Sequence, residues 1–272
     1  MKILSNSPGV LWDCHMHSEF SADSGTPTAD MIRQAIALGF KGICFTEHLD
    51  PDYPPTPDDL EFALDIPAYY TKLNELKETY KNQIHIHFGI EIGLQLHLKQ
   101  YFHNLLKEYP FDFVIGSSHV VHGYDPYYGV FFENREESAC YREYFESILE
   151  NLNAFSGMDV YGHIDYIVRY GPNQNREYSY ERYQDILDEI LRTVIDKNLG
   201  IELNTGGFHY GVPSSAVIVN LTARSSRSEP MHMLRTKSPM ILTKLPPYLQ
   251  KAALNTILYS KIASRNLLNY SY

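Results

Sequence analysis

A repeated strand–helix unit between residues 10 and 207 constrains the fold of this chain more than any other feature. In each unit a short apolar run precedes a polar cluster and then a stretch with apolar residues at helical spacing. The six predicted strands are residues 10–16, 42–46, 84–90, 111–116, 158–162 and 199–203. The five predicted helices are residues 28–39, 67–81, 96–108, 136–155 and 179–197. Because alternating strands and helices pair in parallel through crossovers, we expect an α/β fold whose strands form an incomplete barrel.

Residue types at the helix ends support this division. Thr28, which precedes Ala29 and Asp30, is predicted to cap the first helix at its N-terminus. Gly39 and Gly200 are predicted to end the first and the last helix, since glycine readily adopts the left-handed conformation found there.

Composition excludes several classes of protein. The 272 residues carry a net charge of −10, which argues against a protein that coats nucleic acid. Three cysteines, Cys14, Cys44 and Cys140, are widely spaced and form no Cys-X-X-Cys motif, so we expect free thiols in a reducing compartment. No apolar run approaches the roughly 18 residues of a membrane span, and no signal-peptide stretch follows Met1. We therefore expect a cytoplasmic protein without nucleic-acid or membrane partners; the sequence does not indicate an oligomeric state.

Polar side chains end each predicted strand. The groups able to bind a metal or a polar ligand are His15 and His17, Glu47 and His48, Glu91, His119 and His122, His163 and Asp165, and Asn204. A lone histidine is more often a hydrogen-bonded core residue than a ligand, and one His-X-His pair can arise by chance. Successive strand side chains alternate between faces, so His15 and His17 share one face. Because the carboxyl ends of barrel strands converge on one face, six such ends predict a site for several metal ions.

These residues, in this order, resemble the polymerase and histidinol phosphatase (PHP) superfamily, and most closely its monofunctional histidinol-phosphate phosphatases. The motifs that carry the resemblance are His15-Met16-His17-Ser18, Thr46-Glu47-His48-Leu49-Asp50, Gly89-Ile90-Glu91-Ile92-Gly93, Gly116-Ser117-Ser118-His119 and Gly162-His163-Ile164-Asp165-Tyr166. They cover roughly residues 10–211, and the ordered set is far more specific than any single motif.

The resemblance implies a distorted seven-stranded (β/α) barrel with three clustered divalent metal ions, which could be Zn, Mn or Fe. Matched position by position, the ligands would be one bridging carboxylate and six further side chains: Glu91 between two ions, with His15 and His17 on the first, His119 and His163 on the second, and Asp23 and His48 on a third. A carboxylate that bridges two ions holds them close enough to act on one phosphate.

The resemblance also implies metal-dependent hydrolysis of a phosphate monoester without a phospho-enzyme, namely L-histidinol phosphate to L-histidinol in histidine biosynthesis. Arg169 could fork onto the phosphate oxygens, or it could form a surface ion pair. His122 and His209 could donate to phosphate or to the polar end of the substrate, or be ordinary loop residues, and Asn204 is a further candidate contact. Glu47 could serve acid–base chemistry. We favour the alternative, in which it positions the metal ligands without contacting a metal ion itself.

Two other functions fit the same residues. A PHP phosphoesterase for another phosphate, such as a nucleotide or a nucleic-acid end, would use the same metal ions, although the acidic body disfavours nucleic acid. A metal-binding protein without activity would remain if part of the site has been lost.

The chain departs from the family pattern in its C-terminal part. The family has a seventh strand ending in Asp-X-His, which supplies ligands to the first and third ions, and no such motif follows in register. From Ser214 onward eight Lys and Arg residues stand against one acid, Glu229, and Gly and Asp are absent. We therefore divide the chain into a phosphoesterase domain, residues 1–213, and an atypical basic tail, residues 214–272. Such a tail could bind nucleic acid or a membrane surface.

A shift of reading frame explains the tail better. Residues 231–238 can be encoded by ATG CAC ATG CTC CGG ACA AAA TCG, and the frame that starts at a preceding G then encodes Asp-Ala-His-Ala-Pro-Asp-Lys-Ile. The same shift lets residues 223–229 encode Glu-Ile-Ile-Thr-Ile-Gly, a strand that leads into Asp-Ala-His. We hypothesise that residues from about Ser214 are out of frame and fold poorly, and that His232 is no ligand. The chain as written would lack one strand and two ligands, leave a sheet edge open, and have weak or no activity.

Overall fold

The computed structural model describes residues 12–173, 176, 178–202 and 204, which form a parallel sheet covered by helices. The strands are β1 (Trp12–Asp13), β2 (Gly42–Leu49), β3 (His85–Gly93), β4 (Phe113–Ser117), β5 (Val160–Tyr161) and β6 (Gly200–Ile201). They pair in chain order, and every neighbouring pair is parallel. The predicted parallel α/β arrangement is confirmed.

Helices connect the strands. They are α1 (Thr28–Ala37), α2 (Ile66–Tyr80), α3 (Lys99–Glu108), α4 (Glu137–Ala154), α5 (Tyr166–Tyr170) and α6 (Gln184–Asp196). Short 3₁₀ helices lie at Leu96–Leu98, Gly129–Phe132 and Glu181–Tyr183. All five predicted helices are present. The sequence did not predict α5, a single turn that carries Arg169.

The sheet curls, because residues beyond its first and last strands are in contact. His15 follows β1, and its Nδ1 lies 2.5 Å from a carboxylate oxygen of Glu202, which follows β6. In a flat sheet with strands about 4.8 Å apart, these two edges would be roughly 24 Å apart. The described strands therefore form a partial barrel, as the sequence predicts.

Strands β2 and β3 extend further toward the carboxyl edge of the sheet than the sequence predicted. β2 continues to Leu49 and β3 to Gly93. Their register pairs His48 with Glu91, so two predicted metal ligands are neighbours on adjacent strands. Both ligands stand on hydrogen-bonded backbone, which holds a binding site more precisely than a loop does.

The central strands are buried on both faces, as is usual for parallel sheets covered by helices. Phe45, Phe88 and Ile90 have no exposed surface. Tyr69 of α2 is also fully buried, and its hydroxyl donates to the carbonyl oxygens of Phe45 (2.9 Å) and Gly89 (3.1 Å). These bonds fasten α2 to the two strands that carry His48 and Glu91.

Two of the three predicted helix ends are wrong. Thr28 is the first residue of α1, and its hydroxyl donates to Ser18 Oγ (3.0 Å) instead of capping the helix. Gly200 begins β6, and Asn198 adopts the left-handed conformation after α6 with φ of 54°. Gly39, with φ of 82°, follows α1 as predicted.

Other predictions concern the thiols and the tail. Cys14, Cys44 and Cys140, all within the described residues, form no disulfide bond, as predicted. Among the described residues, no helix combines the length and apolar character needed to cross a membrane. The predicted seventh strand, His209, and the domain boundary at Ser214 lie outside the described residues.

Replacing Gly89 with alanine should destabilise the fold, because a Cβ has no room there. The added carbon would lie 2.8 Å from the carbonyl oxygen of Phe45 and 2.9 Å from that of Phe113. Since both contacts are backbone, we expect the free energy of unfolding to fall by about 1–3 kcal/mol in urea titrations followed by circular dichroism. Gly25→Ala is the matched control, as its Cβ would meet no atom within 4 Å. Equal losses in both variants would contradict the steric explanation.

Candidate metal centre

Glu91 lies at the centre of the carboxyl edge of the sheet and is completely buried. Its Oε2 is 2.9 Å from His15 Nε2, 3.4 Å from His17 Nε2 and 3.4 Å from His48 Nδ1. The first two imidazoles follow β1, and the third belongs to β2. One oxygen of Glu91 thus gathers imidazoles from two neighbouring parts of the sheet.

The second oxygen of Glu91 faces the other side of the barrel. Oε1 lies 3.0 Å from His163 Nε2 and 3.3 Å from His119 Nε2. It also accepts a hydrogen bond of 2.6 Å from the hydroxyl of Ser117. His119 follows β4 and His163 follows β5, so a single carboxylate connects imidazoles from four other strands.

The spacing of the ring nitrogens fits shared metal ions. The Nε2 atoms of His15 and His17 are 3.1 Å apart, and those of His119 and His163 are 3.3 Å apart. Two nitrogens bound at about 2.1 Å to one tetrahedral ion lie roughly 3.4 Å from each other. Potential ligand atoms within 4.8 Å of one another form two groups, His15-His17-Glu91 and His48-Glu91-His119. The donor set therefore fits divalent ions that share Glu91.

His48 also faces the predicted ligand Asp23. Its Nε2 lies 3.6 Å from Asp23 Oδ2, and the Asp23 side chain is 41% exposed. The ring of His48 stacks on that of His17, with centroids 4.2 Å apart and an interplanar angle of 3°. Asp23 and His48 thus form an outer pair at the solvent side of the cluster.

Asp50, which the sequence did not single out, orients two of the imidazoles. Its Oδ1 lies 2.6 Å from His119 Nδ1, and its Oδ2 lies 3.5 Å from His48 Nδ1. Burial raises the pKa of Asp50, but the two histidines outweigh this effect and lower it to about 2. A carboxylate on Nδ1 of His119 leaves Nε2 free for a metal ion.

Electrostatics favour the ligand forms of Glu91 and His17. Burial raises the pKa of Glu91, but His15, His48 and His119 outweigh it and hold this pKa well below its usual range. Burial and the neighbouring His48 hold the pKa of His17 well below its usual range. A charged carboxylate and a neutral imidazole are the forms that bind divalent cations. For His15, His48 and His119, burial lowers the pKa, but the neighbouring carboxylates outweigh this effect and raise it.

Glu202 is a further site residue that the sequence did not indicate. Its Oε1 is 2.5 Å from His15 Nδ1, and its Oε2 accepts a hydrogen bond of 2.9 Å from the backbone N–H of His163. The predicted contact residue Asn204 donates its side-chain amide to Glu202 at 3.1 Å. The missed signal was the spacing of Glu202 and Asn204, which repeats the i, i+2 pattern of the His-X-His pair.

Glu47 lies behind the ligands and not among the cavity residues. It is fully buried and accepts hydrogen bonds from the hydroxyls of Ser18 (2.5 Å) and Ser21 (2.6 Å). Ser21 Oγ in turn lies 3.4 Å from His17 Nδ1 and accepts from the backbone N–H of His48 at 2.9 Å. Of the two roles expected for Glu47, this placement disfavours acid–base catalysis and favours ordering of the ligands, since its oxygens are occupied by the loop that positions His17 and His48.

The cluster forms part of the wall of a cavity of about 380 Å³. Its lining consists of the seven predicted metal ligands together with Arg169, Asn204, two further carboxylates, two apolar residues and five tyrosines: Asp58, Asp125, Leu60, Phe62, Tyr53, Tyr127, Tyr128, Tyr166 and Tyr170. The Arg169 side chain is 6% exposed and donates from Nη2 to Asp165 Oδ1 at 3.2 Å. A buried cation therefore stands in the same cavity as the metal ligands.

His122 is not brought to this cavity. It adopts a left-handed conformation with φ of 49°, its side chain is 66% exposed, and its Nδ1 lies 2.8 Å from Glu143. The tight turn between Val121 and Tyr124 directs it to the surface. The predicted substrate contact of His122 is thereby corrected to a surface pair. The other predicted contact, His209, lies outside the described residues.

A curled parallel sheet whose carboxyl edge carries five imidazoles around one carboxylate defines a barrel-type metal-binding protein. The PHP domain matches residues 13–206. The chain belongs to the PHP domain family.

Known relatives agree with this assignment. The chain is 36% identical, over 71% of each chain, to a protein of Lactococcus lactis named histidinol-phosphatase. The crystal structure of histidinol phosphate phosphatase from this organism, complexed with zinc, L-histidinol and phosphate, covers 80% of this chain and 81% of its own, with a TM-score of 0.74 and 33% identity. A solved structure from Listeria monocytogenes shares the fold, with a TM-score of 0.66, 19% identity, and coverage of 78% of this chain and 90% of its own.

Glu202→Gln should weaken the binding of divalent metal ions, for which zinc is the probe. The amide cannot hold His15 through a charged hydrogen bond, and loss of such an outer partner costs about 10- to 100-fold in metal affinity. Competition with a chromophoric chelator measures the affinity. Glu189→Gln, at an exposed position of α6, is the control and should bind zinc like the unchanged protein. Unchanged affinity in Glu202→Gln would show that His15 needs no such support.

Proposed function

We propose that this chain is a metal-dependent phosphatase that hydrolyses L-histidinol phosphate to L-histidinol and phosphate in histidine biosynthesis. The observation that carries the proposal is the Glu91 carboxylate among five imidazoles, in one cavity with Arg169. Clustered divalent ions beside a guanidinium suit a phosphate monoester, because both bind its oxygens. Membership of the PHP family and the histidinol-phosphatase relative support the choice of substrate.

The proposed site would hold three ions. Glu91 would be a ligand shared by two of them, and each ion would have its own pair of further ligands: His15 and His17, His119 and His163, and Asp23 and His48. The close pairs of ring nitrogens and the position of Asp23 beside His48 support this assignment. Zinc is favoured over manganese or iron, since the Lactococcus lactis structure contains it.

The residues of the chain bind the phosphate and hold the ligands. Bound ions would supply Lewis-acid stabilisation of the phosphoryl charge and lower the pKa of a coordinated water. Arg169 can direct its remaining N–H donors to the phosphate oxygens, because Asp165 occupies only Nη2 and Nε has no hydrogen-bond partner among the described residues. Glu202 and Asp50 keep His15 and His119 in place, and Asn204 is a further candidate contact to substrate.

Activity and metal content together test the function. Zinc-loaded protein should hydrolyse L-histidinol phosphate, weakly for the chain as written, with a higher kcat/KM than 4-nitrophenyl phosphate, and EDTA should abolish both activities. Glu91→Gln should lower kcat/KM by more than about 100-fold, since it removes a bridging charge and not merely an outer partner. Glu75→Gln, on the exposed face of α2, is the control. Unselective turnover would indicate a different phosphate substrate. Bound metal without turnover, both in the chain as written and in the chain with its reading frame restored, would indicate a metal-binding protein that is no enzyme.

We also propose that residues 1–213 are the phosphoesterase domain and that residues from about Ser214 are out of frame. The family match ends at residue 206, although the chain continues to residue 272. The Lactococcus lactis relative likewise aligns over 71% of each chain. Both observations support a tail that differs from the family, and the alternative frame can encode the Asp-Ala-His motif that the tail lacks.

The gene sequence and a repaired protein test the frame. The shifted frame after the codon of Ser214 should be open and should encode Asp-Ala-His. The chain with this frame restored should hydrolyse L-histidinol phosphate at least roughly 10-fold faster than the chain as written, because two metal ligands return. Stop codons in the shifted frame, or equal rates of the two proteins, would refute the frameshift.

A further inference from the structure

Part of the cavity lining has no role in metal binding or phosphate contact. This part holds two carboxylates and several tyrosines: Asp58, Asp125, Tyr53, Tyr127, Tyr128 and Tyr170. Arg169 is the only lysine or arginine of the described lining. Carboxylates and aromatic faces both attract cations, so this wall is suited to a positively charged part of a substrate.

Asp125 is the buried carboxylate of this wall, with 4% of its surface exposed. Its Oδ1 accepts from the backbone N–H of Tyr127 (2.7 Å) and from the Tyr166 hydroxyl (2.9 Å), and its Oδ2 accepts from the Tyr53 hydroxyl. A carboxylate offers about four acceptor positions. Three donors therefore leave capacity for one more on the cavity side.

Tyr166 connects Asp125 to the metal ligands. The centroid of its ring lies 5.1 Å from that of His163 and 5.7 Å from that of His119. Its hydroxyl reaches Asp125, so a single tyrosine side chain separates this carboxylate from the cluster. A small phosphate ester held at the metal ligands would thus bring its alcohol part within reach of Asp125.

We infer that Asp125 binds the ammonium group of the substrate and so selects phosphate esters of amino alcohols. This inference rests on the proposed function and names the residue that recognises the amine. The aliphatic ammonium of L-histidinol phosphate keeps its charge at neutral pH, whereas an imidazole with pKa about 6.5 is mostly neutral there. A buried carboxylate gains most from a partner that is always charged.

A pair of substrates that differ only in the amine tests the inference. L-histidinol phosphate is compared with 3-(imidazol-4-yl)propyl phosphate, and the ratio of their kcat/KM values measures recognition of the amine. In Asp125→Asn this ratio should fall about 10- to 100-fold, the size expected for a charged hydrogen bond. Asp52→Asn is the matched control, because Asp52 is 70% exposed, pairs with His97 at 3.0 Å and does not line the cavity. In Asp52→Asn, the ratio of the two kcat/KM values should equal that of the unchanged protein.

Two other outcomes of the kinetic test decide against Asp125. An unchanged ratio in Asp125→Asn, or an equal loss with both substrates, would overturn the inference; the latter would show that Asp125 only holds Tyr53 and Tyr166. If neither the unchanged protein nor the protein with its reading frame restored hydrolyses either substrate, the proposed function fails separately. In that case, calorimetry compares the affinity of the zinc-loaded chain for L-histidinol with its affinity for 3-(imidazol-4-yl)propan-1-ol, which lacks the amine. A preference for the amine that Asp125→Asn removes would support the inference, and a preference that persists, or no binding, would overturn it.

Discussion

The buried charge of Glu91 is the constraint on which the rest of the site depends. A carboxylate without solvent costs several kcal/mol unless it is paired. Here ring nitrogens surround both oxygens, at 2.9 Å for His15 and 3.0 Å for His163. Such pairing requires that β1, β2, β4 and β5 end at the same level as β3, which carries Glu91, and that the sheet curls around β3. The curled sheet therefore stabilises the buried charge of Glu91, and the pairing of Glu91 with the imidazoles in turn stabilises the curled sheet.

A second set of carboxylates gives the imidazoles their direction. Asp50 contacts His119, Glu202 contacts His15, and Glu47 acts through two serines on the loop that holds His17. Each of these acids binds a backbone N–H, a hydroxyl or the ring nitrogen that faces away from Glu91. Glu91 thus contacts all five imidazoles, whereas Asp50, Glu202 and Glu47 fix their orientation.

The sequence predicted the strands, and the side chains that meet at their carboxyl edge, because both leave strong local signals. Apolar runs marked the strands, and polar residues at their ends marked the converging edge. Glu202 escaped notice because it lay inside a predicted strand. Asp50 lay in one of the motifs but was not predicted to orient the ligands, because the extension of β2 was not visible in the apolar pattern. The single-turn helix α5 was too short to show helical periodicity. His122 was expected near His119, but a left-handed turn sends it outward, and backbone handedness there does not follow from residue type alone.

The contact between His15 and Glu202 has a consequence for the order in which the protein matures. The two residues are 187 positions apart in the chain. Loop closure over such a separation is entropically unfavourable, and topologies rich in distant contacts fold slowly. During synthesis, the His-X-His pair leaves the ribosome long before the carboxylate that orients it. Complete metal loading therefore belongs to the end of folding, and a nascent chain that captures an ion early would hold it with an incomplete set of partners.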